Sequence, residues 1–526
     1  MLLPMDEAVT EPSSYTFGDV KFVWTKHMEA HDGRAGIAVV RLSGPSCLDP
    51  LPKARYATVR TLVDPDRSEK DDGILDSESL LLYLPAPRTV TGEDVLELHV
   101  HGGTATVRAV LEAIPRCRAR GRIRYAEPGE FTKRAFVNNR LDLAQIESLS
   151  DTLAAETEQQ RRAAVRGNSG ALGRTYEDWR RQLLLARGEI EALIDFSEDQ
   201  HFDEPQGELL ENVVRLVRAM VESIQQHELG SQRSELLRNG IQIALLGPPN
   251  VGKSSLMNLI VGREASIVSG EAGTTRDIIE ASLDIRGYLC SFADTAGFRS
   301  RDSAMTERAS HDGVVGAVEE EGIRRARQKA LEADVVIVVG SVEIGGRGPF
   351  IHYDKETVKL AGEAQACLVV VNKRDMVDEA QFRILLAQFG DVLRSLSPAV
   401  AASALLTISC RDGQGSATAS GAKNSDGGGL QSLVDALVTS FSTLTDMPGH
   451  LQDLLGVTER QRQLLVKCRR HLGEFLMEAQ PEEAAVEADT VLAAEYLRYA
   501  ADCLARLTGT GEASEVEDVL GVVFEK

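Results

Sequence analysis

Eight residues, Gly247-Pro248-Pro249-Asn250-Val251-Gly252-Lys253-Ser254, carry the spacing G-x-x-x-x-G-K-[ST], a loop that cradles phosphate. Glycines at positions 247 and 252 let the backbone turn so that successive N–H groups point at an anion, Val251 supplying one of them. Lys253 reaches the terminal phosphates and the Ser254 hydroxyl ligates Mg2+. Ser255 opens a helix, expected over 255–260, whose positive end faces the anion. The apolar run Ile241–Leu246 ahead of the loop reads as a buried strand.

The following residues hold the other parts of a GTP site in order. In Gly273-Thr274-Thr275-Arg276-Asp277, Thr275 completes the Mg2+ shell in a segment that orders around a γ-phosphate. In Asp294-Thr295-Ala296-Gly297, the aspartate holds Mg2+ through water and Gly297 brings a backbone N–H to the γ-phosphate. In Asn372-Lys373-Arg374-Asp375, Asp375 accepts from the ring N–H and the exocyclic amine of guanine, an arrangement adenine lacks. Ser409-Cys410 fits the loop that backs the base. Two bonds to a charged acceptor are worth about 1.5–3 kcal/mol each, so the site should prefer GTP over ATP by roughly two orders of magnitude or more.

One residue type is missing. Phe298 follows Gly297, where a small Ras-like GTPase carries a glutamine that orients the attacking water. Asn250 offers a neutral oxygen beside the phosphates, where a monovalent cation could neutralise transition-state charge. Shaping the loop is the equal alternative for Asn250.

These residues must be carried by strands, and further apolar runs stand where they are needed: 285–293, 335–339, 367–371 and 405–408. Before them, 1–147 alternates short apolar strands with turns. Residues 148–236 are rich in Ala, Leu, Glu, Gln and Arg with apolar positions at three and four spacing, as in Leu183-Leu184-Leu185, Ile190, Leu193 and Ile194, which reads as a long helical region. The helical pattern resumes over 451–507. A nucleotide-binding domain at 237–446 therefore interrupts a helical domain built from 148–236 and 447–526. The fold class expected is multidomain α/β plus α, with a doubly wound, mostly parallel sheet in the inserted part. Arg411 to Gly429, rich in Gly, Ser and Ala, is expected to be disordered.

Three blocks lie outside the GTP motifs: Gly33-Arg34-Ala35-Gly36-Ile37-Ala38-Val39-Val40-Arg41-Leu42-Ser43-Gly44-Pro45, residues 91–103 (Thr-Gly-Glu-Asp-Val-Leu-Glu-Leu-His-Val-His-Gly-Gly), and 128–143 (Pro-Gly-Glu-Phe-Thr-Lys-Arg-Ala-Phe-Val-Asn-Asn-Arg-Leu-Asp-Leu). With them the chain resembles, over nearly its whole length, the tRNA modification GTPases called MnmE or TrmE. The resemblance implies an α/β folate-binding and dimerisation domain at 1–147, an all-α central domain and the inserted P-loop GTPase domain. It implies a homodimer acting on tRNA with an FAD-dependent partner, placing an aminomethyl-type group on the wobble uridine. The one-carbon donor would be 5,10-methylene- or 5-formyl-tetrahydrofolate.

By position, Asn250 matches the family's potassium ligand, with Ser269, Glu271 and Thr274 completing that K+ site as two GTPase domains dimerise. Glu319 aligns with the glutamate that positions the attacking water; Glu320 and Glu321 adjoin it, and an acidic helix start is the plain alternative. Arg41, Glu97 and Arg140 match the folate site. On chemistry alone they read as a rim charge, the wet face of a sheet and a helix cap. The family closes with Phe-Cys-Ile-Gly-Lys, and its cysteine is needed for modification. This chain ends Val522-Val523-Phe524-Glu525-Lys526, and a truncated tail is expected. Cys468 and Cys503 are expected to pack on helices as small apolar residues.

The charge balance, 58 basic against 80 acidic residues for a net −22, excludes broad nonspecific affinity for nucleic acid, so tRNA contact must be local. Arg116, Arg118, Arg120, Arg122 and Arg124 alternate along one stretch, as a solvated loop or a phosphate-facing edge. The 7 cysteines form no C-x-x-C pair, which fits free thiols in a reduced compartment. His99 and His101 read as strand residues. No apolar run approaches a membrane span. Residues 1–29 lack transit-peptide character and do not resemble the family's first strand. The His-Val-His-Gly-Gly variant and the loop insertions resemble mitochondrial members, so a mitochondrial location is expected, with cytoplasmic as the alternative. The rival functions are a ribosome-assembly or purely regulatory GTPase switch, and a folate enzyme with a decayed GTPase, which the intact Lys253, Thr275, Asp294 and Asp375 speak against.

Overall fold

The computed structural model describes residues 20–25, 36–44, 52–67, 72–117, 123–196, 206–263, 265–267, 282–292, 328, 331–415, 428–480 and 489–510. The chain is a mixed α/β structure with long helices, divided into two compact units. One is drawn from 1–150, 173–201 and 490–526, the other from 151–172 and 202–489.

The first unit carries a six-stranded sheet of β1 (Val20–Thr25), β2 (Ile37–Ser43), β3 (Thr58–Val63), β4 (Ile74–Leu84), β5 (Val95–His101) and β6 (Ile123–Tyr125). Its order is β3-β4-β5-β2-β1-β6. β1 is antiparallel to β2 and parallel to β6, in keeping with the short strands expected over 1–147. Alternation on β5 decides the two faces. Leu96, Leu98 and Val100 join Val40, Leu42, Val107 and Val110 in the core, while Glu97, His99 and His101 take the other face. Helix Ala171–Phe196 buries Tyr176, Trp179, Leu183, Ile190 and Leu193 at three and four spacing. Leu184 and Leu185, read with Leu183 as one apolar run, are exposed.

In the second unit the strands are β7 (Ile241–Leu246), β8 (Ala265–Ile267), β9 (Leu283–Ile285), β10 (Tyr288–Phe292), β11 (Val335–Gly345), β12 (Gly348–His352), β13 (Ala366–Asn372) and β14 (Leu405–Thr407). They run β14-β13-β11-β7-β10-β9-β8, with β12 attached to β11. The five strands from β14 to β10 are parallel. Their apolar runs are unbroken because helices cover both faces: Val336, Val338, Val369 and Val371 pack with Phe382, Phe389 and Leu393 from helix Glu379–Leu396.

Two strand readings are corrected. Of the stretch read as one strand over 285–293, Ile285 ends β9 and 288–292 form β10, the two joined by Arg286 and Gly287 at φ 50° and 91°; a two-residue turn with both φ positive matches the twist of the flanking strands. The strand read over 335–339 continues to Gly345 and folds back as β12, Val342 pairing with Ile351.

Helix Gln206–Asn239 leads into β7 through Gly240 at φ 86°. Its Arg238 bonds the Asp151 carboxylate (2.8 Å) and the carbonyls of Val457 (2.8 Å) and Gly456 (3.2 Å), and Arg233 bonds the carbonyl of Asp446. The chain entering β7 and the chain leaving helix Leu430–Thr445 are thus clasped side by side. Among the described residues, no helix is long and apolar enough to cross a membrane.

Candidate functional site

The phosphate loop joins β7 to helix Lys253–Arg263, which begins two residues before the expected start. Both glycines are required by shape. Gly247 lies at φ 145° and a Cβ there would strike the carbonyl oxygen of Val339, while Gly252 lies at φ 96° and a Cβ there would strike the Asn372 side-chain amide. Asn250 stands exposed at φ 63°, a left-handed conformation that Asn tolerates better than other side chains. Ser254 and Ser255 are exposed in the first helical turn.

The Lys253 ammonium curls over the loop, donating to the carbonyls of Gly247 (2.7 Å) and Pro248 (2.6 Å). The residue is only 5% exposed, and burial pushes its pKa down to about 8 from 10.5. Phosphate favours the charged form. Below pH 8 the lysine already carries its proton, so affinity for nucleotide is flat; above it, binding takes up a proton. GDP affinity is therefore expected to fall, approaching tenfold per unit above pH 8. Calorimetric titration at pH 7, 8 and 9 in two buffers checks both the slope and the proton uptake, and a constant affinity would refute it.

Asn372 ends β13 almost fully buried and ties the phosphate loop to the base-facing loops. Its amide donates to the Val251 carbonyl (2.9 Å), and its oxygen accepts from the N–H groups of Lys373 (2.8 Å) and Cys410 (3.2 Å). Asp375 lies exposed on a 3-10 turn, one carboxylate oxygen held at 2.8 Å by the buried Ser409 hydroxyl. The rest of its hydrogen-bonding capacity faces outward. Burial pushes the Cys410 thiol up to about 11, so at neutral pH it is a protonated thiol and not a thiolate nucleophile. The loop expected to be disordered is built at both ends. Cys410–Gly415 is helical, the Ser409 hydroxyl accepts from Asp412 N–H at 3.1 Å, and Gly428 accepts from Ser409 N–H at 2.9 Å; residues 416–427 lie outside the described residues.

Phosphate loop, Asn372, Asp375 and Ser409 thus gather at the carboxyl ends of parallel strands, where open α/β sheets bind ligands. Ser269, Glu271, Gly273, Thr274, Thr275, Asp294, Thr295, Ala296, Gly297 and Glu319 lie outside the described residues.

In the first unit, Arg41 and Glu97 face each other across β2 and β5, Nε to Oε1 at 2.7 Å, with His99 Nε2 on the other carboxylate oxygen at 3.2 Å. Burial raises the Glu97 pKa, but the bonds to Arg41 and His99 outweigh it and hold the carboxyl below its ordinary value. Arg140 is fastened elsewhere, donating to the Thr89 carbonyl at 3.1 Å. His101 Nδ1 meets Asp76 at 2.8 Å. Of the alternating arginines, Arg116 is paired with Asp64 and Asp66 and Arg124 with Glu130; Arg118, Arg120 and Arg122 lie outside the described residues.

Two groupings escaped the sequence reading. Arg134 is fully buried between Glu93 and Glu130, and Arg124 meets Glu130 at 3.0 Å. Asn138 donates to the Thr91 carbonyl at 2.7 Å, and Gly92, at φ 79°, has no room for a Cβ beside Asn138. The blocks at 91–103 and 128–143 thus interlock through a buried ion cluster, for which the signal was charge set among apolar residues. The second is Glu343 on β11, whose Oε1 lies 3.3 Å from His352 Nδ1 and 3.7 Å from Lys373 Nζ. Gly345-Gly346-Arg347-Gly348 between two apolar runs was the available sign of that hairpin.

Comparison with known proteins bears on the whole chain. The MnmE helical domain family matches residues 143–526 and the GTP-binding protein TrmE N-terminus family matches 28–140. The tRNA modification GTPase MnmE of Mesorhizobium japonicum is 37% identical over 501 residues, covering 94% of this chain and 95% of that protein. The mitochondrial 5-taurinomethyluridine-[tRNA] synthase subunit GTPB3 of Danio rerio is 35% identical over 506 residues, covering 94% and 91%. The mitochondrial tRNA modification GTPase MSS1 of Saccharomyces cerevisiae is 33% identical over 517 residues, covering 94% and 90%.

Proposed function

The chain belongs to the MnmE family of tRNA modification GTPases, and on that premise we propose how this GTP-hydrolysing enzyme of wobble-uridine modification works. The observation that carries the proposal is the Asn372 side chain, which bonds the phosphate loop and both base-facing loops at once. Triphosphate and guanine are then read by one rigid frame.

In this reading Lys253 neutralises the terminal phosphates, while Ser254, Thr275 and Asp294 would hold Mg2+, which would offset phosphate charge. Gly247, Val251, Gly252 and Ser255 line the phosphates, Gly273, Thr295, Ala296 and Gly297 surround the γ-phosphate, and Asp375, Ser409 and Cys410 hold the base. Asn250 is exposed and left-handed, and its side-chain oxygen is a donor type that fits a monovalent cation; with Ser269, Glu271 and Thr274 it would hold K+. That ion supplies the positive charge an arginine finger supplies elsewhere. Glu319 takes the water-positioning role that Phe298 cannot fill.

The modification proposed is a 5-carboxymethylaminomethyl or related aminomethyl group, made with an FAD-dependent partner and a tetrahydrofolate one-carbon donor. The paired Arg41 and Glu97 suit a folate carboxylate and pterin edge, and Arg140 would join from its own turn. Homodimerisation through the amino-terminal and GTP-binding parts, and a mitochondrial location as the Danio rerio and Saccharomyces cerevisiae relatives are named, complete the proposal. The domain limits proposed are 1–147, 148–236, 237–446 and 447–526.

The test is GTP turnover in potassium against sodium. Potassium is expected to stimulate at least about tenfold, a fraction of the 10³–10⁵ a finger supplies, with the stimulation lost in Asn250→Ala and turnover collapsing in Glu319→Ala. Equal rates in both salts would overturn the cation mechanism.

A further inference from the structure

The β11–β12 hairpin is an antiparallel addition to a parallel sheet, standing off the main strand order. It places a carboxylate beside the base-reading loop. Glu343 Oε1 lies 3.7 Å from Lys373 Nζ, and the two side chains are 34% and 33% exposed. On its far side the same oxygen meets His352 Nδ1 at 3.3 Å and the Ser341 hydroxyl at 3.4 Å, so Glu343 is itself oriented by two partners.

Lys373 occupies a particular place. Its backbone is left-handed at φ 61° and its N–H is given to Asn372. The backbone is therefore fixed, and what stays free is the four-carbon stem. Asp375 sits two residues on, so a base bonded to that carboxylate lies against the stem of Lys373. Such a stem covers apolar surface while its ammonium seeks a polar partner. Among the described residues, Glu343 places a carboxylate within reach of that ammonium.

We propose that Glu343 is a positioning residue for guanine-nucleotide binding, anchoring the Lys373 ammonium so that its stem forms one wall of the base pocket. This rests on the GTP reading above. The carboxylate acts through the lysine, sparing it the rotamer freedom it would otherwise lose on binding.

The test uses the full chain and a fluorescent N-methylanthraniloyl GDP, with Kd measured by direct titration and kcat and KM from GTP turnover. Glu343→Gln keeps shape and removes charge. It should raise Kd and KM about two- to fivefold, the range of a half-exposed pair, with kcat and melting temperature unchanged. Lys373→Met should raise Kd at least as much, and adding Glu343→Gln to it should bring no further loss. A Glu343→Gln chain that binds like the parent overturns the proposal, as does an equal loss in the Lys373→Met background. A parent chain that fails to bind the probe at all would instead strike the GTP reading.

Discussion

Asp375→Asn is expected to lower affinity for GTP and GDP by about two to four orders of magnitude, at 1.5–3 kcal/mol for each of two bonds to a charged acceptor and 1.36 kcal/mol per decade. The direction follows from donor and acceptor counting. Guanine presents two donors, its ring N–H and its amine, and an ionised carboxylate accepts both. An amide opposes one of them with its own donor, leaving two N–H groups in conflict. Xanthine has a carbonyl where guanine has the amine, and an amide matches it. The same substitution should therefore raise affinity for xanthine nucleotides. Ser409 donates to Oδ1 of Asp375 at 2.8 Å and can donate equally to an amide oxygen, so the new side chain is held in the old place. Competition of GDP and XDP against a fluorescent nucleotide measures both changes. Unaltered GDP affinity would show that Asp375 does not face the base.

The second large effect concerns stability. Arg134→Met takes the shared guanidinium from half-buried Glu93 and from buried Glu130, which keeps Arg124 as its other partner. Removing one member of a buried ion cluster costs about 3–5 kcal/mol, enough to unfold a unit of ordinary stability in mild denaturant. The pH dependence identifies the cause. Burial already raises the Glu93 pKa despite the Arg134 charge; without that charge it must rise further. A carboxyl with a raised folded-state pKa binds its proton more readily folded than unfolded. Stability of the variant should therefore recover as pH falls from the new folded pKa toward the ordinary value near 4.3. Urea unfolding of parent and variant at pH 8 and pH 5 gives the comparison, and a defect of equal size at both would point to lost packing instead of stranded charge.

The phosphate loop was legible in the sequence because its constraints are local. Gly247 and Gly252 have no room for a Cβ, and a spacing of glycines records that directly. The parallel strands β7, β11 and β13 were legible because burial on both faces demands unbroken apolar runs. The β9–β10 turn was missed because Arg286 takes a positive φ that its side chain does not advertise. The ion cluster was missed for a different reason: Glu93, Glu130 and Arg134 become neighbours only when two distant segments pack, and charged residues in sequence look like surface. Arg140 reads beside Leu141 as a helix terminus, yet its guanidinium serves the carbonyl of Thr89, a partner 51 positions away. Glu343 had no local signature at all, since its significance lies in what β12 and β13 bring to it.

The clasp at Arg238 carries a consequence for how the chain is made. Arg238 and its acceptor Val457 are 219 positions apart in sequence. Closing a loop of that length costs little more free energy than closing one half as long, but contacts so distant in sequence are slow to find. A ribosome emitting about 5–20 residues per second needs roughly 10–40 s to deliver Val457 after Arg238. Throughout that interval the Arg238 guanidinium has the Asp151 carboxylate, already synthesised, but not the two carbonyls that complete the clasp. All strands from β7 to β14 precede the acceptor carbonyls in the chain, so the sheet is expected to form before the clasp can close on it.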